Sequence, residues 1–375
     1  MAGRDKETIN LVDSVAVTCH VFNGDQTKLA LCPNSNEVHI YRKSGSSWSQ
    51  ECVLSEHGQR VLDMDWGAKR NRLVTCGEDR NAYVWTSEGG EWRPMLVLLR
   101  INRAATCVRW SPNEEKFAVG CGARLISICY FEVEQDWWVS KHIKKPIRST
   151  VLSVDWHPNN YLVAAGSSDF KARVFSAYVK EIEEKPAPTP WGKKGTFGNL
   201  MAEFSNGGGG WVHSVSFSPS GNKLVWVGHD SSISVAVAGG DQVVTTIKQT
   251  HLPMLTCVFV SEKSIIAGGH DCSPYLFRHD DNAELTALQK LDVVKAKSAG
   301  TSSAMDKFRS LDKKGSTEST DSGRSASTHQ NSIVDARMVG PKGAGKGIST
   351  AGVDGLVVVW NFKSLESSIA GLKIA

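Results

Sequence analysis

The chain alternates short apolar stretches with polar turns at a regular interval. In one kind of stretch, apolar side chains occupy every other position and an aromatic residue ends the run, as in Val61-Leu-Asp-Met-Asp-Trp66 and Val151-Leu-Ser-Val-Asp-Trp156. Similar runs end at Trp110 and Phe217. Because successive side chains of a strand point to opposite faces of a sheet, this period of two predicts β-strands.

A second apolar strand, a turn that contains aspartate and a third strand complete the unit. In four copies the third strand ends six residues after the aspartate, as from Asp79 to Trp85. Asp230 begins a matching turn, and weaker copies end at Tyr41 and Tyr130. The sequence therefore contains seven units, whose third strands end at positions 41, 85, 130, 175, 236, 277 and 360.

The spacing of these positions is typical of WD-repeat propeller blades, which are ~40 to 45 residues long. Two gaps, of 61 and 83 residues, are longer than the others. We therefore predict an all-β fold, a single seven-bladed WD-repeat β-propeller over residues 1–375. The surplus residues predict insertions at about residues 177–210 and 291–327.

Two units contain the polar residues with which WD-repeat blades tie their strands together. A histidine before the first strand, a threonine on the second, the turn aspartate and a tryptophan on the third form a hydrogen-bonded chain, which the low interior dielectric makes rigid. The other five units lack at least one member, so we expect them to depend on packing. The two complete sets are His57, Thr75, Asp79 and Trp85, and His329, Thr350, Asp354 and Trp360.

A propeller ring also needs a seal, because its last sheet would otherwise expose an unpaired edge. Residues Thr8 to Val12 precede the first strand of blade one. Their position predicts that they supply the outer strand of blade seven beside Leu356 to Trp360. Residues 367–374 are the alternative.

The second insertion, between blades six and seven, contains a predicted short amphipathic helix. Ser303 followed by Asp306 is a helix-start signal, and Lys307 and Arg309 lie opposite the apolar face. A helix of ~10 residues is marginal alone in water, so its apolar face needs a groove on the propeller or on a partner. The low-complexity sequence that follows favours a partner. The proposed contact residues are Met305, Phe308 and Leu311.

A second candidate contact combines two tryptophans with a basic stretch. Adjacent strand residues point to opposite faces, so one of Trp137 and Trp138 should lie in the core and the other outside. An exposed tryptophan beside lysine and arginine is typical of interface hot spots, although charge runs are often simply solvated. The candidate partner-binding residues are Trp137, Trp138, Lys144, Lys145 and Arg148.

Composition excludes several classes of function. The 43 Lys and Arg residues exceed the 39 Asp and Glu residues by only four, so we expect no nucleic-acid partner. The nine cysteines fall mostly in apolar runs and none has zinc-site spacing, so we expect no metal and no cofactor. A polar N-terminus and the lack of a ~20-residue apolar run predict no membrane contact and a cytoplasmic location, with a nuclear pool left open.

Two motifs suggest catalytic chemistry but are better explained by structure. The stretch from Gly340 to Gly347 approximates a phosphate-binding loop, yet it has Gly347 where a hydroxyl is required and strands on both sides. His229 and His270 each precede a turn aspartate and therefore follow the blade period. We predict that the protein is not an enzyme.

Five segments are more specific than the repeat. They resemble the family of WD-repeat subunits of the actin-related protein 2/3 complex, and the resemblance extends over the whole chain. It implies a non-catalytic scaffold in a complex that nucleates branched actin filaments, located at the actin cytoskeleton. The implied partners are actin-related protein 2, the smaller subunits and the actin filament, which the second insertion is thought to reach. The alternative is a generic WD-repeat adaptor in a signalling or chromatin complex. The segments are residues 100–106, 122–127, 136–150, 170–178 and 365–369.

Overall fold

A computed structural model describes residues 6–193, 195–206, 209–239, 243–292 and 327–368. In these ranges the chain forms seven four-stranded sheets and a short helix, α1 (Phe362–Ser368). Each sheet is one blade. The first strands of neighbouring blades contact one another around the whole ring, and blade seven also meets blade one in this way. The prediction of an all-β, seven-bladed WD-repeat propeller is confirmed.

Blades one to four take their strands in chain order. Blade one contains β2 (Cys19–Phe22), β3 (Lys28–Cys32), β4 (Val38–Ser44) and β5 (Ser47–Leu54). Blade two contains β6 (Val61–Gly67), β7 (Arg72–Gly77), β8 (Ala82–Glu88) and β9 (Glu91–Val97). Blade three contains β10 (Ala105–Trp110), β11 (Lys116–Cys121), β12 (Leu125–Glu132) and β13 (Trp137–Ile143). Blade four contains β14 (Val151–Trp156), β15 (Leu162–Ser167), β16 (Lys171–Ser176) and β17 (Leu200–Ser205).

Blades five and six follow the same plan, and blade seven departs from it. Blade five contains β18 (Val212–Phe217), β19 (Lys223–Gly228), β20 (Ser232–Val237) and β21 (Val244–Lys248). Blade six contains β22 (Met254–Phe259), β23 (Ser264–Gly269), β24 (Tyr275–His279) and β25 (Leu285–Lys290). Blade seven contains β26 (Ile333–Val339), β27 (Gly347–Gly352), β28 (Leu356–Asn361) and the N-terminal β1 (Lys6–Asn10).

The hydrophobic core lies between neighbouring blades. One cluster joins Val74 and Val84 of blade two to Val108 and Phe117 of blade three. Second strands such as β11 are buried along their whole length, because a neighbouring blade covers each of the two faces of the sheet. The outer strands are more exposed, as the mixed burial of β9 illustrates. Burial of apolar area between the sheets therefore stabilises the ring blade by blade.

The ring closes through its N-terminus. Strand β1 pairs antiparallel with β28, with Thr8 opposite Val358. Ile9 is 4% exposed and packs in one cluster with Leu29 of blade one and Val357 of blade seven. The predicted closing strand is confirmed, although it begins and ends two residues earlier than the predicted Thr8 to Val12. Of the alternative, residues 367 and 368 belong to α1, and residues 369–374 lie outside the described residues.

The two long gaps between blades differ in what the structure describes. Part of the first gap is anchored on blade five, because Trp191 is 1% exposed, packs against Phe217 and donates a 2.8 Å hydrogen bond from Nε1 to the carbonyl of Gly221. The fourth strand of blade four, β17, lies in the same gap. In the second gap the predicted helix with Met305, Phe308 and Leu311 lies outside the described residues.

The structure brings together the four polar residues of blade two. His57 Nδ1 lies 2.9 Å from Asp79 Oδ2, and its Nε2 lies 2.8 Å from Thr75 Oγ1. Trp85 donates from Nε1 to the same hydroxyl at 2.9 Å. Since Nδ1–H donates to the carboxylate, Nε2 accepts a hydrogen bond from the threonine hydroxyl. Each of these four side chains therefore has a hydrogen-bond partner.

Blade seven repeats this arrangement with its own four residues. His329 Nδ1 lies 3.1 Å from Asp354, and its Nε2 lies 2.8 Å from Thr350 Oγ1. Trp360 Nε1 donates to Thr350 at 2.9 Å. The two complete networks thus have the same connectivity.

The turn aspartate of blade two is held in its ionised form. Burial alone would raise the pKa of Asp79, but hydrogen bonds from His57 and from two backbone amides outweigh it, and the pKa lies below its usual value. A carboxylate whose pKa is lower in the folded state stabilises the fold above its unfolded pKa of about 4. This contribution is lost as the pH falls through the folded pKa.

Two incomplete blades replace the missing members with other polar residues. In blade four, Arg173 Nη1 donates to Asp169 at 2.9 Å and to Ser167 at 3.1 Å. In blade five, Asn206 Nδ2 donates to Asp230 at 3.0 Å. The expectation that the incomplete blades depend on packing is therefore wrong for these two.

We predict that Asp79→Ala lowers the free energy of unfolding more than Asp230→Ala does. Loss of Asp79 leaves the buried His57 Nδ1 without the acceptor that it has in this network, at a cost of ~1 to 3 kcal/mol. Loss of Asp230 is milder, because the Asn206 amide keeps hydrogen bonds to Ser232 and to the carbonyl of Gly210. Urea unfolding of both variants measures the difference, and equal losses would contradict the assigned role of the blade-two network.

Candidate interaction sites

The two adjacent tryptophans of β13 point to opposite faces, as expected. Trp138 is 7% exposed and packs its ring 5.1 Å from Phe117 and 5.7 Å from Trp110. It is therefore a core residue, and the hypothesis that it binds a partner is wrong. Trp137 is 51% exposed, and Val133 in the same hairpin turn is 81% exposed. Trp137 and Val133 form an apolar hairpin tip at one end of the ring.

The basic stretch does not lie beside that tip. Trp137 begins β13, whereas Lys144 and Lys145 follow its other end, so seven extended residues, about 20 Å, separate them. The tryptophan and the lysines therefore do not form one continuous patch on the ring. Lys144 and Lys145 instead border a pocket of about 560 Å³. Arg148 is exposed, and its backbone amide donates a 2.8 Å hydrogen bond to Asp169.

The histidines that precede turn aspartates have structural contacts. His229 Nδ1 lies 2.9 Å from His213 Nε2, and the half-exposed Trp211 packs on the same ring. Burial, together with the charges that His229 and His270 would carry, lowers the pKa of His213 to about 4. His270 Nδ1 lies 2.9 Å from Ser332 Oγ. Neither histidine is aimed at a catalytic partner.

A buried ion network that sequence reasoning missed joins the first strands of four consecutive blades. Asp63 of blade two accepts hydrogen bonds from Arg109 of blade three at 2.5 Å and from Arg337 of blade seven at 2.6 Å. Arg337 also contacts Asp335 at 2.9 Å, and Asp335 lies 3.1 Å from His20 of blade one. Blades seven, one, two and three are thereby joined through their first strands.

Charge pairing decides the ionisation of this network. Burial would raise the pKa of Asp335, but Arg337 and His20 outweigh that effect and hold it far below its usual range. The same carboxylates outweigh burial at Arg337 and raise its pKa. Only one signal in the sequence pointed to these residues, the aspartates at alternate positions 63 and 65 of an otherwise apolar strand.

A cavity of about 650 Å³ opens on one side of this network. Lys342, from the loop between β26 and β27, reaches across it to Asp155 of blade four at 2.6 Å. The loop that approximates a phosphate-binding motif is therefore tied by an ion pair. Among the described residues, no three His, Cys, Asp or Glu side chains are grouped so that they could hold a metal ion. No helix in the described ranges is long and apolar enough to cross a membrane.

Comparison with known families agrees with the repeat. The WD domain, G-beta repeat family matches residues 48–86 and 140–176. The first match contains β6 and β7 with most of β5 and β8, and the second contains most of β13 together with β14 to β16. Each sequence repeat therefore supplies the outer strand of one blade and the three inner strands of the next. This offset by one strand explains why the last blade needs a strand from the N-terminus.

Similarity over the whole length decides the family. The chain is 57% identical to actin-related protein 2/3 complex subunit 1A-A of Xenopus laevis over 96% of this chain and 97% of that protein. The chain belongs to the actin-related protein 2/3 complex subunit 1 family. Subunit 1 of Schizosaccharomyces pombe is 42% identical over 91% of this chain and 95% of its own length. Subunit 1B of Arabidopsis thaliana is 40% identical over 94% and 96%. The resemblance found in the sequence is confirmed.

Proposed function

We propose that this chain is the WD-repeat subunit of an actin-related protein 2/3 complex and contributes there to nucleation of branched actin filaments. The observation that carries the proposal is 57% identity over almost the full length of a relative with that name. Relatives in a yeast and a plant have the same subunit name. A generic WD-repeat adaptor for signalling or chromatin is disfavoured, because such adaptors share the repeat without similarity along the whole chain.

The role that we propose is a non-catalytic scaffold in the cytoplasm, at the actin cytoskeleton. The cross-blade contacts of the first strands make the ring a rigid platform, from which loops project at both ends. The charged groups at its centre support the lack of catalysis, since Arg337 and its carboxylate partners are engaged with one another in ion pairs of 2.6 and 2.9 Å. Paired, buried charges of this kind hold a fold together and are poorly placed for proton transfer.

The hairpin tip of Trp137 and Val133 is our proposed contact with another subunit. A tryptophan that leaves half of its surface in water offers a large apolar area that a partner can bury. Actin-related protein 2 and the smaller subunits are the partners that we propose for the ring. Lys144, Lys145 and Arg148 follow the opposite end of β13, and we propose them as a separate surface.

We predict that the tagged full-length chain is recovered in a fixed stoichiometric complex that contains two actin-like proteins. Trp137→Ala should reduce that recovery, because it removes a large exposed aromatic side chain from the tip. Trp211→Ala is the matched control, since Trp211 is 50% exposed but lies before β18. Quantitative mass spectrometry of the purified material measures both effects. Recovery without actin-like proteins would contradict the proposed function, whereas equal recovery with the Trp137 variant would contradict only the contact.

The second insertion is our proposed contact with the actin filament. Met305, Phe308 and Leu311 share one face of the helix that the sequence predicts, and each could contribute ~1.5 to 3 kcal/mol if fully buried in a groove. These residues lie between blades, outside the repeated strands. Their loss should therefore leave the propeller intact.

We predict that replacing Met305, Phe308 and Leu311 together by serine lowers branch density on filaments without lowering the melting temperature or complex assembly. A control that replaces Lys307 and Arg309 by glutamine should retain more branching, because it keeps the apolar face. Fluorescence microscopy of branching and thermal melting provide the measurements. A lowered melting temperature would indicate that the segment packs on its own propeller. Unchanged melting, assembly and branching together would exclude both roles.

A further inference from the structure

One end of the ring has a pocket of about 560 Å³ whose rim is built from three separate connections. Arg100 comes from the connection between β9 and β10, and Arg124 from the turn between β11 and β12. Lys144 and Lys145 come from the connection between β13 and β14. The volume lies within the range of pockets that bind small molecules. Four positive charges thus border one concave site.

Hydrogen bonds fix the three connections relative to one another. His142 donates from Nε2 to the carbonyl of Leu99 at 2.8 Å, which ties β13 to the Arg100 connection. The amide of Gly122 donates to the carbonyl of Ala104 at 3.0 Å, which ties the Arg124 turn to it. The base of the pocket is apolar, with Leu125 and Ile147 nearly fully buried. The pocket therefore has a preformed apolar floor, and the cations lie around it.

Among the residues that the structure describes, no carboxylate compensates these cations. Within the described residues, no carboxylate lines the pocket, and no ion pair involves Arg100, Arg124, Lys144 or Lys145. The neighbouring Lys141, in contrast, pairs with Glu181 at 2.7 Å. Like charges gathered around one concavity repel each other, so binding of an anion there is electrostatically favourable.

We infer that this pocket binds a small polyphosphate, a compact molecule with at least two phosphate groups. Arginine matches phosphate oxygens with paired N–H donors, and lysine adds point charge. An extended acidic peptide would distribute its carboxylates along a groove, whereas these four cations surround a single concavity. A soluble polyphosphate and the headgroup of a phosphoinositide lipid share this chemistry. The inference goes beyond the proposed function and does not depend on it.

The test compares three double variants of the full-length chain, purified in the assembly in which it is soluble. Lys144→Gln with Lys145→Gln removes two rim charges, and Lys144→Arg with Lys145→Arg keeps them. Lys180→Gln with Lys185→Gln removes two charges from exposed residues in the connection between β16 and β17 and is the matched control. The probes are inositol hexakisphosphate, vesicles of phosphatidylcholine with phosphatidylinositol 4,5-bisphosphate, and an unphosphorylated polyglutamate peptide. Calorimetry and vesicle sedimentation measure binding, and thermal melting verifies that each variant is folded.

We expect the rim glutamine pair to weaken binding of inositol hexakisphosphate by about tenfold or more, while the arginine pair and the control pair bind like the parent. Rim-dependent binding to the vesicles alone would support the inference and identify the lipid headgroup as the source. Absence of binding to both phosphate probes would overturn it. So would equal weakening by the control pair, which indicates diffuse charge attraction. Tighter rim-dependent binding of polyglutamate would overturn it in favour of an acidic protein partner.

Discussion

Pairing of the N-terminal strand with the last blade is the constraint on which the rest of the structure depends. Each sequence repeat contributes an outer strand to one blade and inner strands to the next, so the final sheet lacks its fourth strand until β1 arrives. The register of this pair puts Ile9 between blades seven and one, where it joins the core. Lys6 of the same strand pairs with the buried Asp292 at 2.5 Å, just after blade six. Strand β1 therefore contacts blades six, seven and one.

Closure determines where the functional loops lie. Each strand runs between the two ends of the ring, so residues that are close in sequence can lie at opposite ends. Trp137 and Lys144 illustrate this, because β13 separates them. The ion network of Asp63, Arg109 and Arg337 reinforces closure from the inside by joining blades two, three and seven. The ring can then present a hairpin tip for a subunit contact and a basic pocket as independent sites.

The blades could be predicted from the sequence because their signals are local. An aspartate six residues before an aromatic strand end reports a turn and the strand after it, as at Asp79 and Trp85, and the full networks need only four residue types at set positions. The buried ion network could not be predicted, because Arg337 and Asp63 are 274 positions apart in the chain. The substitute networks escaped it because Arg173 and Asn206 perform the task of a histidine with different donor chemistry. Of the four cations of the basic pocket, the sequence indicated only Lys144 and Lys145, because Arg100 and Arg124 come close to them through folding alone.

Hydrogen–deuterium exchange of the intact protein tests the central claim, that β1 closes the ring as an integral strand, most directly. The amides of β1 that bond to β28 should exchange as slowly as those of the buried β27, because opening them requires the ring to open. Deuterium uptake in the peptides that cover β1, β27 and β28 measures this. Exchange of β1 within seconds, while β27 and β28 remain protected, would contradict the account, because the N-terminal strand would then be a loose attachment to a ring that holds without it.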